Sequence, residues 1–307
     1  MYKTTQESLH KGMILIITSA VFFSLVGVGI RMAGDLPLMQ KCFFRNIVAL
    51  FFSYLLLKRN RISLSVDLFK PNFSLLLLRS ILGTIGMFGN FYAVDHLLLG
   101  DASMLAKMSP FFVVVFSAFF LQEKVRLNQV LCIVGAFAGS LLIVKPSFSN
   151  LLFIPSLIGL VGGMGSGGAH TAVRALGKKG ETGVVVVFFF SLFSTIITLP
   201  STLLNFHPMT MAQLLWLLAT GSLAACGQFA LTAAYRYAPA NKISVYDYSQ
   251  VIFSALLGFV IFSQVPDLYS GFGYLVVIGM GFAMFLFTKK NQQEAGFPPS
   301  TMPSNEQ

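Results

Sequence analysis

The sequence predicts an all-α integral membrane protein of ten transmembrane helices, arranged as two inverted five-helix repeats with both termini in the cytoplasm. Three observations predict it. Of 307 residues, 55% are hydrophobic and only 10% charged, against about 25% charged in an ordinary soluble domain. The apolar residues, 32 Phe among them, spread along the whole chain in runs of about 20, the length that crosses a hydrocarbon core. The Lys and Arg residues between those runs fall largely on one side, which sets orientation.

The first run, 12–32, has no small-residue cleavage site behind it and is too long for a signal segment, so it stays in the membrane. Run 38–57 carries Arg45, and Lys58-Arg59-Asn60-Arg61 ends it. In 73–95, Arg79, Gly83, Gly86 and Asn90 follow 4-3-4 spacing and form one non-oily face. Run 101–121 holds Lys107 one turn before Pro110, whose missing N–H permits a kink or hinge. Run 127–145 is uninterrupted. In 152–174, Gly159, Gly163 and Gly167 recur every four residues and allow close helix packing or bending. His170 follows them. Run 183–204 is almost wholly apolar. In 211–235, Gln228, Thr232 and Tyr235 are spaced 4-3, and in 240–264, which carries Asp247, Tyr246, Ser249, Gln250 and Phe253 share a sector. Run 270–288 is the tenth.

Basic loop residues lie on one side from Lys3 and Lys11 through to Lys289 and Lys290, with only Arg31, Lys41 and Lys145 on the other. Both termini are therefore expected in the cytoplasm. The net charge of +10 is a topology signal, and no nucleic-acid partner is expected. Cys42, Cys132 and Cys226 lie in separate apolar runs without CxxC spacing. They read as small buried hydrophobes, with neither a disulfide framework nor a metal site implied.

A weak internal repeat appears at a separation of about 141–143 residues. Arg31 falls opposite Arg174, Gly86 and Ala93 over Gly227 and Ala234, and Ala102…Pro110…Glu123 over Ile243…Val251…Gln264. Five spans per half is odd, so the second half enters from the opposite face and the halves are inverted. The expected units are 1–146, 147–290 and a disordered cytoplasmic tail, 291–307, rich in Pro298, Pro299 and Pro303.

Phe44-Arg45, Ala102…Pro110…Glu123-Lys124, Val125-to-Gly139 and the echo Ser244…Gln250-Val251…Gln264-Val265-Pro266 together resemble the drug/metabolite transporter superfamily, its EamA-type members, over residues 11–290. The chain also looks similar to the branch that includes S-adenosylmethionine carriers. The resemblance implies two inverted five-helix repeats around a central cavity and alternating access. The family's second-half Pro is Val251 here, and its second-half Glu is Gln264.

A charge inside a span costs about 2.5–3.5 kcal/mol on insertion scales and faces a cavity or partner. Asp247 is too short to snorkel, whereas Arg45, Arg79 and Lys107 are long enough to do so. Three positive groups against one negative favour an anionic or zwitterionic solute. Asn90, Gln228, Tyr246 and Gln250 would add hydrogen bonds and ring contact, or serve as packing glue. Asp247 and His170 are the groups that could couple to protons; Glu123, facing Gln264 in the repeat, reads as a loop organiser.

No GxSxG, HExxH or phosphate-binding loop occurs, so neither catalysis nor ATP-driven pumping is expected. The reading is a secondary transporter of a small organic metabolite in the cytoplasmic membrane of a bacterium, without a cofactor, as a monomer or homodimer among membrane lipids. A membrane-embedded enzyme acting on a lipid-linked substrate, or a channel or scaffold, is the alternative.

Overall fold

The computed structural model describes residues 6–62, 72–120, 127–145, 151–237 and 244–294. Eleven α-helices and one 3-10 turn make up the described residues: α1 (Gln6–Met32), α2 (Leu38–Arg59), α3 (Phe73–His96), α4 (Leu99–Ala106), α5 (Ser109–Phe120), α6 (Leu127–Val144), α7 (Phe153–Lys178), α8 (Gly183–Leu204), α9 (Met211–Tyr237), the 3-10 turn Ser244–Tyr248, α10 (Ser249–Phe262) and α11 (Leu268–Glu294).

Eight spans among the described residues are long and apolar enough to cross a membrane, α4 and α5 together forming one of them, Leu99–Phe120. The two other expected spans are present as helix but fall outside that set. The glycines of α7 dilute its apolar character, and the ninth run is broken, leaving the shorter apolar segment Tyr246–Phe262.

The distribution of side chains is that of a protein dissolved in lipid. Phe51, Phe119, Leu203, Val260 and Leu275 are exposed, whereas Gln40, Asn46, Ser53, Ser191 and Thr198 are buried. Cys42 and Cys132 are buried as expected, but Cys226 is exposed. In a bilayer an apolar side chain need not hide inside the protein, so apolar context does not predict burial.

The most extensive helix pairings are α3 with α7, α1 with α9, α2 with α8 and α6 with α11, followed by α2 with α9, α5 with α7, α1 with α10 and α4 with α10. Glycine sets the closest crossing: a Cβ on Gly89 would meet the Gly162 Cα at 2.6 Å, and one on Gly86 the Ser166 backbone N at 2.8 Å. On the other flank of α7, a Cβ on Gly163 would meet Leu105 O at 2.6 Å and one on Gly167 the Phe112 Cβ at 2.5 Å. The series 159-163-167 thus lies along the break between α4 and α5, and Gly162 and Gly165 face α3.

Several expectations fall on other ground. Glu123, the Pro146–Asn150 connection and the tail from 295 lie outside the described residues, as do the side chains of Thr232 and Tyr235. Residues 291–294, assigned to the tail from sequence, continue α11.

Candidate functional site

The fourth and ninth runs are both interrupted, and an ion pair joins them at the interruptions. α4 stops at Ala106, Lys107 has φ −74° and ψ 1°, and α5 begins at Ser109 with Pro110 in its first turn. Proline has no N–H to bond Ala106 O, but its fixed φ suits a helix start. The chain therefore restarts there. In the ninth run Val251 stands where proline would be, and the interruption takes another form, the 3-10 turn Ser244–Tyr248 ahead of α10. Tyr248 is buried, and a Cβ on Gly281 would meet its ring at 2.5 Å, so the turn seats directly on α11.

Lys107 Nζ donates to Asp247 Oδ2 at 2.6 Å. Their side chains retain 12% and 23% of their accessibility, so the pair is largely but not wholly withdrawn from water. Beside it, Ser103 Oγ donates to Ser254 Oγ at 2.7 Å and Ser254 Oγ to Ser24 Oγ at 3.1 Å. Ser24 Oγ lies 3.0 Å from Gln250 O. A line of hydroxyls thereby connects α4, α10 and α1.

A second cluster surrounds Phe190 of α8. The Arg79 guanidinium stands 3.9 Å from the ring centroid and that of Arg45 6.0 Å from it. Arg45 Nη1 donates to Asn46 Oδ1 at 2.9 Å. Arg79 Nε and Nη1 are buried and have no hydrogen-bond partner in the protein. Gly83 makes room for this stack, since a Cβ there would lie 3.1 Å from both Arg79 Nη1 and Phe190 Cε2. Both guanidinium groups lie within 6.0 Å of one ring centroid, hence no more than about 10 Å apart, where like charges repel by at least roughly 1.7 kcal/mol at an effective dielectric of 20, and no acidic side chain among the described residues pairs with either. His170 is exposed and lies within electrostatic reach of Arg79, Lys107 and Asp247.

The structure thus pairs Lys107 with Asp247 and sets Arg45 and Arg79 on the Phe190 ring, with His170 within electrostatic reach of Arg79, Lys107 and Asp247. The 4-3-4 face of the third run does not act as a unit: Arg79 and Gly83 meet α8, whereas Gly86 packs on α7. Asn90 is half-buried near Gly162. Tyr246 packs against Ile16 and Ala234, and Gln228 is exposed on α9. Phe190 was not singled out from the sequence, where it is the last of three consecutive phenylalanines and nothing marks its neighbours.

One end of the bundle is closed by polar contacts. Arg31 Nη2 donates to Val94 O at 2.8 Å and also to Leu97 O, while its guanidinium stands 5.3 Å from the Phe262 ring centroid. Lys41 Nζ pairs with Asp95 at 2.7 Å. Gln264 Oε1 accepts from Leu99 N at 3.0 Å, and Tyr274 OH donates to Asp101 Oδ1 at 2.7 Å. Lys145 Nζ meets Asp267 Oδ2 at 2.5 Å. The three basic residues expected on the sparse side, Arg31, Lys41 and Lys145, are therefore all held by local acceptors. A polar recess of about 410 Å³ opens just outside, lined by Arg31, Asp35, Lys41, Asp95, His96 and His207.

Comparison with known proteins places this architecture. The model of the EamA-like transporter family matches residues 10–145. The pseudopaline exporter CntI of Pseudomonas aeruginosa is 31% identical over 274 residues, covering 89% of this chain and 95% of the exporter. A riboflavin transporter of Brucella anthropi is 25% identical over 84% of this chain and 92% of its own length. A solved crystal structure superposes with a TM-score of 0.63 at 15% identity, over 91% of this chain and 98% of that one, which bears on the fold alone. An all-helical, lipid-exposed bundle enclosing a small charged site, related over nearly its whole length to a metabolite exporter, belongs to the EamA-like transporter family, whose members move small organic solutes across membranes and are not enzymes.

Proposed function

We propose that the chain is a secondary transporter that carries a small organic anion or zwitterion by alternating access, through the space shared by Arg45, Arg79, Lys107, Asp247 and His170. The observation that carries this reading is Arg79, whose Nε and Nη1 are buried without a protein partner. An unsatisfied buried charged donor costs more than the 1–3 kcal/mol typical of a neutral one. A carboxylate, phosphate or similar group arriving from solution removes that cost, and Lys107 lies within the same space to take a second acceptor. Asp247 accepts the ammonium of a zwitterion or, once Lys107 is drawn away, a proton.

The helix pairings support two inverted repeats. Exchanging each span for the one five places on converts the pairing of α1 with α9 into that of α7 with α3, and leaves those of α2 with α8, α6 with α11 and α4 with α10 unchanged. The breaks in the fourth and ninth runs, and a family match ending at residue 145, agree with units 1–146 and 147–290. Cytoplasmic termini follow from the basic loops, and with them the polar contacts at Arg31, Lys41 and Gln264 seal the outer face, leaving His170 reachable from inside. The exporter among the relatives favours outward transport, and the bacterial relatives favour a bacterial cytoplasmic membrane.

The test is thermal unfolding of the detergent-purified protein with anionic, zwitterionic, neutral and cationic metabolites, S-adenosylmethionine among them, since a ligand bound only by the folded state raises Tm. Anionic or zwitterionic compounds should stabilise the wild type and fail to stabilise Arg79→Gln. Stabilisation by cations alone, lost in Asp247→Asn, would overturn the anion assignment.

A further inference from the structure

We propose that the Arg79–Phe190–Arg45 cluster holds a small monovalent inorganic anion whenever the organic solute is absent, which makes the carrier an exchanger. This rests on the anion-binding reading above and goes beyond it by naming the counter-substrate and the mode of transport. Arg45 and Arg79 face one ring from within cation–π range, a geometry that concentrates two positive charges while leaving Arg79 Nε and Nη1 without an acceptor. Among the described residues the three side-chain ion pairs are Lys41–Asp95, Lys107–Asp247 and Lys145–Asp267. Among the described residues no carboxylate is therefore paired with either arginine when the solute leaves. Arg45 has neutral acceptors, Asn46 Oδ1 and the Met87 sulfur, but Arg79 has two buried nitrogens with nothing to donate to.

A carrier returns empty only if its empty site can be enclosed. Enclosing two uncompensated guanidinium groups within a membrane is strongly unfavourable, so the conformational change runs with an anion bound in each direction. The site reads charge through donors on two helices, α2 and α3, and the partly accessible Arg79 side chain opens toward the space where His170 is exposed. A compact monovalent anion needs only the unpartnered Arg79 donors and leaves Asp247 on Lys107. An organic anion large enough to reach Lys107 as well competes for the same place, and each departs as the other arrives.

The experiment uses chloride as the probe and the full chain in two formats. In detergent at constant ionic strength, replacing gluconate by chloride is expected to raise Tm saturably. Lys58→Gln, an exposed charge at the end of α2, keeps that response; Arg79→Gln loses it, and Arg45→Gln weakens chloride affinity at least fivefold should Arg79→Gln not fold. In proteoliposomes with the potential clamped by potassium and valinomycin, uptake of radiolabelled chloride is expected to be at least tenfold faster into vesicles holding chloride than into those holding gluconate. A chloride response that is linear or survives in both arginine variants would overturn the site. Equal uptake into both kinds of vesicle would overturn exchange. If organic anions stabilise the wild type through Arg79 while chloride does neither, exchange against inorganic anions fails and the solute reading stands; if organic anions also fail, both fall.

Discussion

Breaking the Lys107–Asp247 pair is the perturbation whose consequences the structure determines most closely. The two charges are 2.6 Å apart with 12% and 23% of their side-chain surface accessible, between the exposed pairs that contribute about 0.2–1 kcal/mol and the buried ones whose breakage costs about 3–5 kcal/mol. Asp247→Asn leaves an ammonium facing an amide, and Lys107→Met leaves a carboxylate facing a thioether, so each should cost about 2 kcal/mol. The double variant removes both charges and should cost about as much as either single variant, about 2 kcal/mol in place of an additive loss of about 4, giving a coupling of about 2 kcal/mol in a double-mutant cycle. For a chain of this size each kcal/mol shifts Tm by roughly 2–4 °C, so the single variants should melt about 4–8 °C low. Ligand binding adds a second signature. Asp247→Asn frees Lys107 and should tighten an organic anion about tenfold, equivalent to about 1.4 kcal/mol, while destabilising the unliganded protein. Strictly additive losses in the cycle, or weaker anion binding by Asp247→Asn, would refute the reasoning that this pair is the competitor for the substrate's charge.

Three further outcomes follow from the packing and the ends of helices. Gly83→Ala should cost only about 1 kcal/mol, because the groups 3.1 Å from the new Cβ are a guanidinium tip and a ring edge that yield, but it should weaken anion binding by tilting Arg79 off Phe190, which a chloride or metabolite titration followed by Tm would record. Gly163→Ala should cost more than about 2 kcal/mol, since its Cβ would meet the backbone oxygen of Leu105 at 2.6 Å, whereas Gly177→Ala, with nothing within 4 Å, should be neutral or stabilise by up to about 1 kcal/mol through helix propensity alone. Asp267 caps α11 by accepting from Ser270 N at 2.9 Å; Asp267→Ala should cost about 1 kcal/mol and Asp267→Ser less. The Lys145 hydrogen bond also holds the Asp267 carboxyl below its ordinary range. A depressed acid stabilises above its unfolded-state value and loses that contribution as pH falls through the folded one. The difference between wild type and Asp267→Ser, less than about 1 kcal/mol at this exposed site, should therefore hold above about pH 4 and fade only as pH falls further, through the folded value, as a denaturation series across pH would show.

The helical, lipid-solvated architecture was legible because it depends on composition and run length, quantities that survive without tertiary information. The intramembrane charges were legible for the same reason: each is costly enough to stand out from an apolar run. What joined them was not. Lys107 and Asp247 are 140 residues apart, and only the packing of α4 on α10 pairs them. Phe190 is one phenylalanine among 32, and its role depends on two arginines arriving from α2 and α3. Tyr246 sits next to Asp247 in sequence, yet the 3-10 turn directs it into the packing of α1 and α9. The break in the fourth run was signalled by Pro110; that in the ninth has no proline to announce it and is anchored by Tyr248 on Gly281. Cys226 was misread because burial in lipid and burial in protein leave the same mark on a sequence.

The two interrupted runs have their ends in different places, and this leads to the last prediction. α4 carries Leu99 and Asp101 at the sealed end and Lys107 just past its other terminus; at 1.5 Å per residue these eight residues form a strut about 12 Å long. α10 follows Asp247 at its head and leads to Ser263, with φ 54°, and Gln264 at its tail. The Gln264 side chain then accepts from Leu99 N. The same two segments therefore meet twice, once through a charge pair and once through a hydrogen bond at the seal. A helix transmits displacement along its axis because its own hydrogen bonds resist compression, so a ligand that separates Lys107 from Asp247 also loads the contact between Gln264 and Leu99. Gln264→Leu removes that contact without touching the charged space. It should raise the labelling rate of a cysteine placed at Ser103 by an impermeant reagent added from the sealed side, and change organic-anion affinity by about 0.5–2 kcal/mol, the usual range for coupling between distant positions. By linkage, a saturating anion should alter that labelling rate in the Ser103→Cys protein with Gln264 intact, in proportion to its preference for one state. If Gln264→Leu opens the seal while leaving anion affinity unchanged, α4 and α10 do not act as struts, and the charge pair and the seal are independent features of the fold.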